Sequence, residues 1–128
     1  MKTTILAAAA AALALGAGSA GANGPIVIGH LVDYTGPTSD VGKPYGQGAA
    51  DALAYINKNG GIAGRPLQVD MVDYSYNAPR AIATYKKWVG SDKIVAAQGW
   101  GTADTEALVG FVTTDQIPFY SASYSGHL

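Results

Sequence analysis

A chain of 128 residues with eight Lys or Arg against nine Asp or Glu has a formal net charge of -1, which provides no electrostatic hold on nucleic acid or on an acidic membrane surface. There is no cysteine, so disulfides, thiolate ligands and thiol nucleophiles are excluded. The apolar fraction of 48% is raised by the first twenty or so residues, where Lys2 precedes ILAAAAAALALGAG and then the small residues SAGANG.

That start has the positive, apolar and small-residue parts of an export signal, with an A-x-A site at Ala20, Gly21 and Ala22. Its apolar run is about 14 residues where a membrane span needs roughly 20. Residues 1–22 are therefore expected to be a signal peptide cleaved after Ala22, with residues 23–128 the mature part. A lipid anchor needs a cysteine at the cleavage point, so a free periplasmic product without a membrane anchor is expected. The remaining residues suffice for one small core, but the chain stops at YSGHL, a loop-like stretch just past a strand, and an incomplete domain is expected.

PIVIGHLV, residues 25 to 32, is almost continuously apolar and β-branched, as suits a central parallel strand covered on both faces. DYTGPTSDVGKP is a loop by its Gly, Pro, Ser, Thr and Asp content. A helix is predicted over 43–58, with Pro44 in its first turn and Tyr45, Ala49, Leu53 and Ile56 on one face. Gly60 and Gly61 end it. Gly46 and Gly48 weaken that helix, which points to close backbone approach, to a neighbouring helix or a ligand.

Leu67, Val69 and Met71 mark a second strand nearer a sheet edge. Asn77 and Pro79 open a second helix whose Ile82, Tyr85 and Val89 share a face, with Trp88 beside them. KIVAAQG is a third strand, residues 102 to 113 a third helix with Leu108, Val109 and Val112 inward, and IPFYSA at 117 to 122 a fourth strand. The order β-α-β-α-β-α-β implies an α/β fold, a parallel sheet with helices on both faces. Ligands in such sheets sit beyond the carboxyl ends of the strands, where the loops 33–42, 99–103 and 121 onward converge.

The turn GWGTADT after the third strand carries neither G-x-x-x-x-G-K-[ST] nor G-x-G-x-x-G, and Asp104 would oppose a phosphate. What it offers is a helix N-terminus and the Thr102 hydroxyl, suited to a carboxylate or small polar group; the other use of Thr102 is to cap its own helix. Ser121, Ser123, Tyr124 and Ser125 form a second hydroxyl cluster, which is either an ordinary solvated loop or a facing part of the same rim. Tyr34, Tyr74, Trp100 and Tyr124 either wall a pocket or pack. His30 reads as a satisfied core histidine, and neither it nor His127 has partners at metal or triad spacing. Asp33, Asp70 and Asp73 are expected to accept turn N–H groups.

VIGHLVDYTGPTSDVGKPYGQGAADALAYINKNGGIAGRPLQV resembles the start of the type I periplasmic solute-binding proteins of ABC transporters. It is similar, more narrowly, to their branched-chain amino acid (leucine/isoleucine/valine) family. The marks are TGP after the first strand, the IN-x-x-GGI-x-G-R-P-L turn, the aspartate ending the second strand, and DKIVAAQG before a hydroxyl-bearing turn.

The resemblance implies a three-layer, two-lobed fold of which this chain supplies the early part of the first lobe. It implies a non-enzymatic protein without a cofactor, whose lobes close on one small solute, an amino acid or small carboxylate, for delivery to a membrane permease. Carried over by position, the ligand-binding residues are Thr102 and Ala103, then Ser123 and Ser125, with Tyr124 between. Two departures stand out. The turn is GWGTADT where amino acid binders are often serine-rich, and Val41 replaces a frequent aromatic. Trp100 leans toward a flatter or more aromatic carboxylate. Two rival readings remain at this stage, a ligand-sensing regulatory domain of the same fold and a small exported enzyme with a Rossmann-like sheet.

Overall fold

The computed structural model describes residues 24–127; the signal peptide expected over 1–22 lies outside them. The chain runs β1 (Ile26–Val32), α1 (Ser39–Lys58), β2 (Leu67–Asp73), α2 (Ala78–Lys87), a π-type turn (Trp88–Asp92), β3 (Ala96–Gln98), α3 (Thr102–Asp115) and β4 (Phe119–Tyr120). The strands form one sheet in the order β2-β1-β3-β4, every pairing parallel. β1 is interior and β2 is at an edge, as their apolar patterns imply. After β1 the chain builds outward to one side and then returns to lay β3 on the other, so the connectivity reverses between β1 and β3.

Alternate residues of β1 meet different helices, which gives the sheet a helical layer on each face. Gly29 lies against the Trp88 ring at the end of α2, and Leu31 joins Tyr74, Ala81, Tyr85, Trp88, Ile94, Ala97 and Leu108 in the main core. His30 and Val32 point the other way, to Tyr45 and Gly46 of α1. In α1, Tyr45, Ala49, Leu53 and Ile56 are half-buried along the expected face, but the fully buried positions are Gly42 and Gly46. A Cβ on Gly46 would stand 2.6 Å from the Tyr34 hydroxyl and 2.7 Å from Val32 Cγ2, whereas Gly48 faces open space. The close approach inferred for the two glycines therefore holds for Gly46, against the sheet, and not for Gly48.

Local turn chemistry closes α1 onto β2. Gly60 and Gly61 have φ of +96° and +72°, and the Gly61 N–H returns to the Ile56 carbonyl at 3.0 Å. That left-handed pair is what a glycine end cap supplies at no steric cost. Asn57 then clamps the start of β2, its amide donating to the Leu67 carbonyl at 2.8 Å and accepting the Leu67 N–H at 2.7 Å. Asn77 caps α2 by accepting the Arg80 N–H at 2.9 Å, with Pro79 in the first turn.

Four expectations need correction. α1 starts at Ser39, four residues before the predicted boundary, so Pro44 lies inside the helix; the turn that begins it is held upstream by Asp33. β3 and β4 are only three and two residues long; β3 pairs with Ile28, Gly29 and His30 alone of the seven residues of β1. Val109 is 46% exposed and not inward, whereas the expected face of α2 does pack on the core, Tyr85 and Trp88 fully buried beside Ala81, and Ile82 and Val89 partly buried against them. Asp70 accepts the Trp88 indole N–H at 2.7 Å and pairs with Lys87, and no turn N–H.

Candidate functional site

The loops that follow the strands meet around a cavity of about 640 Å³ at the carboxyl edge of the sheet. Thr38, Val41, Pro44 and Tyr45 come from the β1–α1 side, Trp100, Gly101 and Thr102 from the β3–α3 turn, and Ala122 and Tyr124 from the segment after β4. Tyr76, after β2, completes it. This is the point where strand order reverses, the place an open parallel sheet leaves a crevice. No charged side chain is among the lining residues.

The β1–α1 loop is organised by Asp33, which is fully buried. Its carboxylate accepts the Gly36 N–H, the Thr38 N–H at 2.9 Å and the Thr38 hydroxyl at 2.6 Å. Asp73, at the end of β2, ties that loop to the one after β2: it accepts the Tyr34 and Ser75 N–H groups, each at 3.0 Å, and the Thr35 hydroxyl at 2.6 Å. Burial pulls the Asp73 carboxyl upward, but these donors and nearby Arg80 outweigh it and hold the group below its ordinary range. Ser75 and Tyr76 follow with φ of 54° and 55°, a left-handed pair that swings the Tyr76 ring over Gly101, where a Cβ would stand 2.8 Å from it.

At the head of α3 the protein supplies its own anion. Asp104 is fully buried and accepts the N–H groups of Trp100 and Gly101, both at 2.8 Å, and the Tyr74 hydroxyl at 2.6 Å. A carboxylate already seated there physically replaces a phosphate. Gly101 is the N-cap residue and Thr102 the first helical one, so Thr102 does not cap. Its hydroxyl instead faces Ser123 Oγ at 3.2 Å. Among the described residues, the N–H groups of Thr102 and Ala103 donate to no protein acceptor, as the geometry of a first helical turn dictates.

Thr102 lines the cavity and Ser123 touches it through that hydrogen bond. Tyr124 is a fully exposed wall. Ala103 sits half-buried in the first turn of α3, off the lining surface. Ser125 lies off the lining surface, its hydroxyl donating to Glu106 and accepting the His127 N–H at 3.1 Å. Ser121 is bonded to Thr105. Of the four aromatics considered for a wall, Trp100 and Tyr124 serve; Tyr74 is fully buried and Tyr34 donates to Met71 Sδ at 3.0 Å.

Tyr45 and Tyr76 take their places, and both escaped the sequence reading as site residues. Tyr45 is the member of the helix stripe nearest the loop end, which was the available signal; nothing local distinguishes Tyr76 from Tyr74. The Tyr45 hydroxyl donates to the Gly99 carbonyl at 3.1 Å and accepts from the Gln98 amide at 2.6 Å. Its ring lies 4.8 Å from Trp100 and, edge-on, 5.5 Å from His30. His30 is fully buried, with neither ring nitrogen hydrogen-bonded to protein, so it is a core histidine but not a satisfied one. Burial pushes its pKa down to about 4. Among the described residues no group of three or more His, Cys, Asp or Glu is placed to hold a metal ion, and no helix is long and apolar enough to cross a membrane.

Comparison with known proteins places this geometry in context. The profile of a periplasmic binding protein family matches residues 25–127. An amino acid binding protein of Pseudomonas aeruginosa is 32% identical over 74 residues, 58% of this chain and 20% of that protein. The crystal structure of an ABC transporter substrate binding protein from Aeropyrum pernix superposes with a TM-score of 0.74 at 44% identity, over 80% of this chain and 28% of that one. The branched-chain amino acid transporter substrate binding protein of Streptococcus pneumoniae, solved with isoleucine, gives 0.76 at 26% identity, over 80% of this chain and 30% of that one. The chain thus spans between a fifth and a third of the length of these relatives.

Proposed function

This chain belongs to the periplasmic binding protein family, and from that premise we propose that it forms the early part of the first lobe of an ABC transporter's solute-binding component. Its solute is a branched-chain amino acid or a related small carboxylate, captured in the periplasm and delivered to a membrane permease. Residues 1–22 are the cleaved export signal of that protein.

One observation carries the reading. The cavity at the sheet's switch point combines walls without charge with the unused N–H group of Thr102, that of Ala103 next to it in the chain, and the Thr102–Ser123 hydroxyl pair. Neutral donors at a helix start suit a single carboxylate, while the apolar walls suit a small organic body. A second lobe closing over the first would bury the solute and stabilise the closed form in proportion to contacts made only then.

The test is a thermal-shift screen of the full-length protein against amino acids, small aromatic acids and amides. A true solute raises the melting temperature in proportion to the logarithm of its excess over Kd. Stabilisation by ATP or NAD, with none by any small carboxylate, would overturn the assignment.

A further inference from the structure

Thr38 stands at the N-cap of α1, a position where a threonine normally accepts an N–H from the helix, yet its side chain makes no capping bond. Its hydroxyl donates to buried Asp33 at 2.6 Å and accepts the Trp100 indole N–H at 2.7 Å. The direction of this relay is forced, because a carboxylate with these partners accepts, an indole N–H only donates, and a hydroxyl has one proton. Trp100 is further held by its own backbone N–H on Asp104 at 2.8 Å and by its ring 4.8 Å from Tyr45. The indole is thus pinned at its ring nitrogen, its backbone and one side of its ring.

We propose that Trp100 is the specificity-determining wall of the cavity, that Thr38 is the residue that positions it, and that the solute class so selected is a carboxylate carried on a flat aromatic or unsaturated ring. This rests on the reading of the cavity as the solute site. The side-chain polar atoms of Trp100 and Tyr45 are already bonded within the protein, so both offer the solute ring surface alone, and Tyr76 and Tyr124 add two more rings to the lining. A rigid indole gains a stacking contribution from a planar partner that a puckered or branched one of equal area lacks, worth roughly 3- to 10-fold in affinity. Abandoning the helix cap to hold the indole is reasonable only if the ring's orientation matters.

The experiment is calorimetry on the full-length protein with benzoate, cyclohexanecarboxylate and leucine, in the wild type and in Trp100→Leu, Thr38→Val and Thr38→Ser. Benzoate and cyclohexanecarboxylate share size and charge and differ in planarity. Wild type is expected to favour benzoate about tenfold, Trp100→Leu to erase the preference, Thr38→Val to move toward Trp100→Leu, and Thr38→Ser, which keeps the hydroxyl, to retain it. Equal or tighter binding of cyclohexanecarboxylate or leucine by wild type overturns the proposal while the solute-binding reading stands. An unchanged ratio in Thr38→Val overturns the positioning role, and no binding of any of the three overturns the proposal together with the reading beneath it.

Discussion

The carboxylate of Asp104 accepts the Tyr74 hydroxyl at 2.6 Å, with both side chains fully buried. This contact ties the end of β2 to the head of α3 across 30 residues of chain, and the same carboxylate holds the N–H groups of Trp100 and Gly101. The turn that superficially resembles a phosphate loop is therefore a self-satisfied structural joint, and the next N–H groups, at Thr102 and Ala103, have no acceptor among the described residues.

Asp104→Ala strands three donors in the interior and is expected to cost roughly 3 to 5 kcal/mol. Tyr74→Phe removes one donor and is expected to cost about 1 kcal/mol. Burial, and then the Asp104 contact, hold the Tyr74 phenol well above its usual pKa, so it remains a donor at any pH where the fold survives. Urea unfolding of the two variants checks the ordering; equal losses would mean that the backbone N–H groups draw nothing from Asp104.

Gly46 and Gly48 lie two positions apart in α1 and should respond oppositely to alanine. Gly48→Ala adds a methyl in open space and should stabilise by about 0.5 to 1 kcal/mol through helix propensity. Gly46→Ala drives a methyl into Val32 and Tyr34 and should destabilise by roughly 1 to 3 kcal/mol. Melting curves of the pair decide this, and a stabilising Gly46→Ala would show that α1 can lift from the sheet without penalty.

His30 should make the fold acid-sensitive. Its folded pKa of about 4 lies below the 6.5 of an exposed histidine, so between those values the unfolded chain binds a proton that the folded chain refuses. Stability is then full above pH 6.5 and falls as the pH drops toward 4, by up to about 3 kcal/mol. Loss of the Asp73 contribution acts in the same direction but at lower pH, since its carboxyl is held below its ordinary range. His30→Phe keeps an aromatic ring, sacrifices no hydrogen bond, and should flatten the profile between pH 6.5 and 4. Parallel profiles for variant and wild type would remove His30 from the explanation.

Thr102→Val and Ser123→Ala in the full-length protein should each weaken solute binding about tenfold with little change in melting temperature. Because the two hydroxyls bond each other at 3.2 Å, the double variant should lose less than the sum. Titration calorimetry of the set measures the coupling, and normal binding by both single variants would withdraw these positions.

Element order, the interior place of β1, the glycine end of α1 and the Asn77 cap were all readable from the residues, because each depends on neighbours within a turn or on apolar spacing along one segment. Parallel α/β geometry then forces the loops onto one rim, so the convergence of these loops around a cavity was readable too. The partners within that rim were not. Trp100 reaches Thr38 across 62 positions and Tyr45 reaches Gly99 across 54, and no local pattern says that Tyr74 turns inward to Asp104 while Tyr76 turns out to the cavity. Local backbone preference acts over a few residues, whereas these choices exist only once the sheet has brought distant loops within hydrogen-bonding reach.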